Sequence, residues 1–232
     1  PVIVWLAARL AKRGRLDGAA WANSSRQVIR ALERSGVEFE ITGVEHLHGI
    51  DSAYVLAANH MSTLETMVLP AVLQPLRNTT FVVKQSLTTM PVFKHIMCSR
   101  HAIAVTQANP REDLKTMLAE GVDRLKRGFA LVVFPQGSRT PGFRAEEFNS
   151  IGVKLAARAA TPLVPCAVAT DAWGLGRWIP ELSRIDPTRK VRIAFGEPTT
   201  VEGRGEEQHA RTLEFIGGKL AAWGYGPAGP LP

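Results

Sequence analysis

Cysteine is scarce in this chain of 232 residues, which contains only Cys98 and Cys166. Two cysteines exclude a disulfide framework and a cysteine-rich zinc site, and they fit a reducing compartment. Long apolar runs are missing too, since no stretch reaches the roughly 18 apolar residues that a membrane-spanning helix needs. We therefore expect no spanning helix within these residues, while an anchoring segment outside them stays open.

Clustered positive charge is also missing, although basic residues are in excess. Lys and Arg number 28 against 21 Asp and Glu, which gives a net charge of +7 and a pI near 9.8. This balance favours an anionic partner: a nucleic acid, a phosphorylated metabolite or an anionic membrane surface. No basic run is longer than pairs such as Lys12-Arg13, and only 7% of the residues are aromatic. We therefore expect no nucleic-acid partner.

The first 35 residues predict helices that carry large apolar side chains beside arginines. Trp5, Leu10 and Trp21 share this segment with Arg26, and the apolar residues recur at helical spacing. Such an amphipathic pattern is typical of a helix packed on a domain and also of a helix at a membrane surface. Both interpretations stay open at this point.

Beyond these residues, predicted strands alternate with predicted helices. The strands are expected at 37–42, 53–58, 80–84, 102–106, 129–134, 162–170 and 191–195, and the main helices at 62–73, 111–126, 148–159 and 206–222. This alternation predicts an α/β fold with a largely parallel central sheet covered by helices. We divide the chain into an N-terminal helical, membrane-associating segment (1–36), a main domain (37–223) and a disordered Pro/Gly tail (224–232). In such sheets functional groups gather where strands end and helices begin.

One of these strand ends carries a histidine and an acid. A histidine followed five positions later by an acid occurs at His46/Asp51, His60/Glu65 and His209/Glu214. The last pair lies within one predicted helix, where five steps rotate the side chains apart by about 140°, and the first lies in a polar turn. Only His60 follows a strand and precedes a helix, so its imidazole can fold back over Glu65 as a base with an orienting partner. The alternative is a capping box, in which Glu65 satisfies only the Ser62 N–H.

The second strand end, at 135–140, follows the buried apolar run FALVVF. The backbone N–H groups of Gly137 and Ser138 can face an anion there, and Arg139 can grip phosphate oxygens as a fork. The alternative is a plain turn with a solvated arginine. Lys84, at the end of another predicted strand, is a solvated cap unless a phosphate site lies nearby.

Together, the two strand ends resemble the glycerophospholipid acyltransferase family. The stretch NHMSTLET is similar to its first motif, in which Asn-His is followed by four residues and an acid. The stretch FPQGSRT is similar to its third motif, Phe-Pro-Glu-Gly-Thr-Arg. Three further stretches resemble the family: FEITGVEHL, VVKQSL with Pro91 and Phe93, and TPLVPCAVA. The resemblance covers residues 37–198.

This resemblance implies acyl transfer from a thioester donor, acyl-CoA or acyl-carrier protein, to the hydroxyl of a lysophospholipid. The first expectation for the acceptor is 1-acylglycerol-3-phosphate, which gives phosphatidate. The family's mechanism implies that His60 is the general base, that Glu65 orients it, and that Arg139 and Lys84 bind phosphate. It implies no cofactor beyond the thioester co-substrate. We expect the protein at the cytoplasmic face of a membrane, with the lysophospholipid, the donor and the membrane surface as partners.

Three positions depart from the family's pattern. Glu65 replaces the commoner Asp, Gln136 stands where Glu is usual, and Gln107 stands where the second motif usually ends in Arg. The candidate binding residues are Lys84, Arg100, Gly137, Ser138 and Arg139. We expect no metal site, because His60 and Glu65 lack a third ligand at a recognisable spacing. The departures leave open a different lysolipid acceptor, or a non-catalytic protein that binds anionic lipids. Catalysis requires His60 and Arg139 to share one cleft.

Overall fold

The computed structural model describes residues 2–174, 184–227 and 229–230 of the chain. Its N-terminal part contains two helices, α1 (Val2–Lys12) and α2 (Gly18–Glu33). The carboxylate of Asp17 caps α2, since it accepts a hydrogen bond from the Ala20 N–H at 2.8 Å. The prediction of helices in the first 35 residues is therefore confirmed.

The two N-terminal helices differ in how they meet the rest of the domain. In α2, Trp21 and Val28 are buried and Arg26 is exposed, so this helix is packed on the domain. In α1, Trp5 is 50% exposed and Leu6 is 46% exposed. Among the described residues, no helix combines the length and apolarity that crossing a bilayer requires.

Seven strands within the described residues form one sheet. They are β1 (Phe39–Thr42), β2 (Tyr54–Ala58), β3 (Thr79–Lys84), β4 (Ile103–Val105), β5 (Ala130–Val133), β6 (Leu163–Ala169) and β7 (Val191–Phe195). Their order in the sheet is β1-β7-β6-β2-β5-β3-β4. All neighbouring pairs are parallel except β6 and β7, which are antiparallel. The predicted largely parallel sheet is confirmed.

Helices cover both faces of this sheet. The remaining α-helices of the described residues are α3 (Glu45–His48), α4 (Leu64–Leu76), α5 (Gln85–Thr89), α6 (Phe93–Ser99), α7 (Pro110–Lys126), α8 (Ile151–Ala159) and α9 (Glu206–Ala222). In β2, Tyr54, Leu56 and Ala58 join a hydrophobic cluster with α1, α2 and α4. Val55 and Ala57 join a second cluster with α7, α8 and α9. Because both faces are covered, β2 is apolar and buried throughout.

Part of the predicted disordered tail (224–232) is structured, while residues 228, 231 and 232 of that tail lie outside the described residues. The strands β8 (Tyr225–Gly226) and β9 (Gly229–Pro230) form a short antiparallel hairpin directly after α9. Tyr225 is buried, and its hydroxyl donates a hydrogen bond to the Asp171 carboxylate. Proline and glycine suit a tight hairpin turn as well as a disordered segment, so composition does not distinguish the two.

Candidate active site

The loop between β2 and α4 carries His60, and the residue before it fastens this loop to β6. The side-chain amide of Asn59 donates to the Val168 carbonyl at 2.9 Å, and its oxygen accepts from the Val168 N–H at 2.8 Å. Asn59 is buried, so water does not compete for these bonds. Through these two bonds, the Asn59 side chain extends the hydrogen bonding between β2 and β6 beyond the end of β2. They fix the position of the backbone from which His60 projects.

The structure brings His60 and Glu65 together. The imidazole Nδ1 lies 2.7 Å from the Glu65 carboxylate, and the ring stacks on Phe134 with the two centroids 4.3 Å apart. An ionised carboxylate only accepts hydrogen bonds, so Nδ1 carries the proton and Nε2 keeps its lone pair. This is the arrangement of a general base with an orienting partner.

The Glu65 carboxylate, in the first turn of α4, is fully buried and also binds the backbone just before this helix. It accepts from the backbone N–H of Met61 at 2.8 Å and of Ser62 at 3.0 Å, and from the Thr170 hydroxyl at 2.7 Å. Burial alone raises the pKa of Glu65, but the hydrogen bond and charge of His60, with help from Thr170, hold that pKa below its ordinary value. Glu65 is therefore ionised at neutral pH, and one carboxylate both accepts the Ser62 N–H and pairs with the imidazole.

The loop after β5 carries Arg139 and is fastened to the His60 loop at three points. The Thr140 N–H donates to the His60 carbonyl at 2.9 Å, and the His60 N–H donates to the side-chain oxygen of Gln136 at 3.0 Å. The Arg139 guanidinium donates to the hydroxyl of Thr63. The imidazole and the guanidinium therefore lie in one cleft.

A cavity of about 760 Å³ opens from this cleft. Its polar lining includes His60 and four of the predicted binding residues, which are Lys84, Gly137, Ser138 and Arg139. Its apolar lining comes from α1, α2, β3, α5 and α6, and includes Val4, Trp21, Phe81, Leu87, Ile96 and Met97. The cavity thus combines an imidazole, positive charge and a large apolar wall.

Two cavity residues were missed or undervalued by the sequence analysis. Lys154, in the first turn of α8, lines the cavity. The sequence indicated this only through the position of Lys154 in the helix that follows the Arg139 loop. Gln107 also lines the cavity, and its side-chain amide donates to the Gly137 carbonyl at 2.7 Å. The Gln107 N–H donates to Asp113. Gln107 therefore anchors the Gly137 turn and supplies no charge.

Arg100 is the one predicted binding residue that the structure does not bring to the cavity. It follows α6 and places its guanidinium over the ring of Trp21, 5.7 Å from the centroid. Burial lowers the pKa of this guanidinium. Arg100 is absent from the described residues that line the cavity, although Trp21 does line it, so a binding role for Arg100 stays a prediction.

Neither cysteine is placed as a nucleophile. Cys166 is buried within β6, where burial raises the pKa of its thiol. Cys98 is exposed on α6, and within the described part of the chain neither residue lines the cavity. The same part of the chain contains no cluster of three His, Cys, Asp or Glu side chains suited to a metal ion.

Comparison with known families agrees with this geometry. The model of the Acyltransferase family matches residues 38–169, and the chain belongs to this family. The resemblance noted from the two motifs is confirmed, and the protein is an acyltransferase.

Named relatives and one solved structure are similar to this chain. A 1-acyl-sn-glycerol-3-phosphate acyltransferase from Pseudomonas aeruginosa is 26% identical over 189 residues, 82% of this chain and 68% of that protein. Another with this name, from Saccharomyces cerevisiae, is 28% identical over 140 residues, 59% of this chain and 45% of its own length. The 1-acyl-sn-glycerophosphate acyltransferase PlsC from Thermotoga maritima matches with a TM-score of 0.70 and 18% identity, over 95% of this chain and 89% of that one. The last likeness confirms the predicted α/β fold.

Proposed function

We propose that the protein transfers a fatty acyl group from a thioester donor, acyl-CoA or acyl-carrier protein, to the free hydroxyl of 1-acylglycerol-3-phosphate, forming phosphatidate. One observation carries the proposal: His60, which pairs with Glu65, lines the same cavity as Arg139. An acceptor that has both a reacting hydroxyl and a phosphate requires a base beside a cation. The names of the similar acyltransferases support this choice of acceptor.

In the proposed reaction His60 acts through Nε2. This nitrogen removes the proton of the acceptor hydroxyl while the hydroxyl oxygen attacks the carbonyl carbon of the thioester. The new carbon–oxygen bond gives a tetrahedral oxyanion, which collapses as the carbon–sulfur bond breaks. The leaving thiolate takes the proton back from the imidazolium, so the products are an ester and a free thiol. Glu65 keeps the imidazole in the required tautomer and stabilises its transient positive charge.

The lining of the cavity supports an acceptor with a phosphate and an acyl chain. Arg139 can bind two phosphate oxygens as a fork, whereas Lys84 and Lys154 act as point charges. The apolar wall can bind the acyl chain. Each methylene group buried there contributes about 0.8 kcal/mol to the binding free energy. The net positive charge of the whole protein favours the approach of such an anion.

The experiment that tests the proposal is a panel of donors and acceptors with purified protein. Free thiol is measured from acyl-CoA and from acyl-carrier protein, and the acylated product is identified by its mass. We expect turnover with 1-acylglycerol-3-phosphate and much less with a monoacylglycerol that lacks the phosphate. Turnover only with another lysolipid would assign a different acceptor. Binding to anionic lipid without thiol release would favour the non-catalytic alternative.

We also propose that the protein works at the cytoplasmic face of a membrane, and the exposed side of α1 supports contact with a membrane surface. Val2, Trp5 and Leu6 project apolar surface there, with exposed fractions of 68%, 50% and 46%. The guanidinium of Arg9 lies over the Trp5 ring, 4.8 Å from the centroid. Aromatic and aliphatic side chains beside cations are typical of helices that lie in an anionic lipid interface. Because α1 also lines the cavity through Val4, this placement brings the cavity close to the lipid.

Changing Trp5 and Leu6 together to serine is expected to weaken binding to vesicles of phosphatidylglycerol at least tenfold. Each of these side chains contributes about 1.5–3 kcal/mol when it is fully buried in an apolar phase, and partial insertion of both is enough for this loss. Vesicle sedimentation measures the change. Ile185→Ser is the matched control, because Ile185 is also exposed, at 40%, but pairs with Trp173 and is not part of α1. If the wild-type protein and the α1 variant bound to the vesicles equally, the proposed membrane contact of α1 would be contradicted.

A further inference from the structure

The hairpin at Tyr225–Pro230 packs against the loop that carries Arg139. A Cβ atom at Gly142 would lie 2.5 Å from the Gly229 nitrogen and closer still to the Pro227 carbonyl oxygen. Gly142 does not have a positive φ, so glycine is required there for space and not for backbone freedom. From the other side, a Cβ at Gly229 would lie 3.3 Å from the Cβ of Pro141. The two backbones are therefore in direct contact.

From this contact a chain of hydrogen bonds leads to the backbone of His60. The Thr140 hydroxyl donates to the Gly142 carbonyl at 2.7 Å, and the Gln136 amide donates to that hydroxyl at 3.0 Å. The oxygen of the same Gln136 amide accepts from the His60 N–H at 3.0 Å. Arg139 lies between the members of this chain in sequence, so its backbone is held by the same bonds.

A second connection leads from the hairpin to Glu65. The buried hydroxyl of Tyr225 donates to the Asp171 carboxylate, which also pairs with Arg189. Asp171 directly follows Thr170, whose hydroxyl donates to the Glu65 carboxylate at 2.7 Å. The hairpin therefore touches both the strand end that supports Glu65 and the loop that supports Arg139.

We propose that this C-terminal hairpin is a positioning element of the active site, which holds the Arg139 loop in register with the His60–Glu65 pair. It contacts no reacting atom; its contribution is to fix the separation between the phosphate-binding guanidinium and the base. The inference rests on the proposed function for its kinetic consequence, and on the contacts of Gly142 and Tyr225 for its physical basis. Catalytic geometry is sensitive to such support, since a misplacement of about 1 Å can cost roughly 100-fold in rate.

Gly142→Ala is the principal test, with Gly49→Ala as matched control. The added methyl at position 142 forces the loop and the hairpin apart, whereas a Cβ at Gly49 meets nothing within 4 Å. We expect Gly142→Ala to raise KM for the phosphate-bearing acceptor on the order of tenfold, with a smaller change in kcat and in KM for the donor. Gly49→Ala should leave all three unchanged. Thermal melting shows whether both variants keep the fold.

Tyr225→Phe tests the second connection without adding an atom. Its matched control is Tyr54→Phe, because the Tyr54 hydroxyl is buried and has no hydrogen-bond partner among the described residues. We expect Tyr225→Phe to increase amide hydrogen exchange across residues 136–143 at least several-fold and to raise the acceptor KM in the same direction as Gly142→Ala. Tyr54→Phe should change neither the exchange nor the KM.

The outcomes separate this inference from the proposed function. Wild-type protein without turnover on any acceptor would reject the function, and the exchange of residues 136–143 would still test the hairpin. Active wild type with an unchanged acceptor KM in Gly142→Ala would overturn the inference. It would also be overturned if Tyr225→Phe and Tyr54→Phe gave the same exchange and the same KM.

Discussion

Replacing His60 by alanine is expected to lower kcat by about 10²- to 10⁴-fold, the range that a positioned general base contributes. The acceptor hydroxyl has no other imidazole in the cleft to take its proton, as far as the described lining shows. Binding of the acceptor phosphate depends on other residues, so KM for the acceptor should change much less than kcat. Steady-state release of free thiol measures both constants.

His209→Ala is the matched control for this result. His209 has the same five-residue spacing to an acid, but it lies on α9 beside Phe148 and is not among the described residues that line the cavity. The His209→Ala variant should acylate the acceptor at the wild-type rate. Added imidazole should restore part of the activity of His60→Ala and none to His209→Ala. Turnover by His60→Ala above a tenth of the wild-type value would refute the role of His60 as base.

Replacing Arg139 by alanine is expected to lower kcat/KM for 1-acylglycerol-3-phosphate by roughly 10- to 150-fold. This corresponds to the loss of about 1.5–3 kcal/mol that hydrogen bonds to a charged group contribute. The loss should fall mainly on KM, because in the proposed complex the guanidinium binds the phosphate, which does not react. Arg139→Lys should recover only part of it, since an ammonium cannot offer the planar fork.

The phosphate dependence makes the Arg139 prediction specific. For a monoacylglycerol acceptor, which has no phosphate, Arg139→Ala should leave the residual rate unchanged. Arg144→Ala serves as control, because Arg144 lies five residues further along and pairs with Glu147 at the surface, 2.8 Å away. An equal loss with both acceptors would show that Arg139 supports the fold of the cleft and does not recognise phosphate.

Much of the fold was predictable because its signals are local. The apolar run that became β2 is bounded by polar residues, and strands buried on both faces are apolar throughout. Asn59, His60 and Glu65 could be assigned to one strand end for the same reason. The sequence left a choice between a cap and an orienting acid for Glu65. The structure shows that the two interpretations do not exclude each other. The carboxylate has enough lone pairs to accept hydrogen bonds from the Ser62 N–H and from the His60 imidazole together.

The parts that were not predictable depend on contacts between distant segments. The antiparallel direction of β7 follows from how the chain returns to the sheet, and nothing in the run VRIAF distinguishes a parallel from an antiparallel strand. Lys154 reaches the cavity only because α8 packs where it does. Arg100 looked suitable by its distance along the chain, yet it stacks on Trp21. The pairing of Tyr225–Gly226 with Gly229–Pro230 was not predicted, because the burial of Tyr225 depends on contacts with distant segments.

Two contacts fix the orientation of the His60 ring, and they have an energetic consequence. Its edge is fixed by Glu65 and its face by Phe134, so the ring has one orientation before any lipid arrives. Immobilising a free side chain costs about 0.5–1.5 kcal/mol, and here folding has already met that cost. In the proposed reaction, the barrier to acyl transfer therefore does not include this cost, and the contacts with Glu65 and Phe134 orient Nε2 in advance.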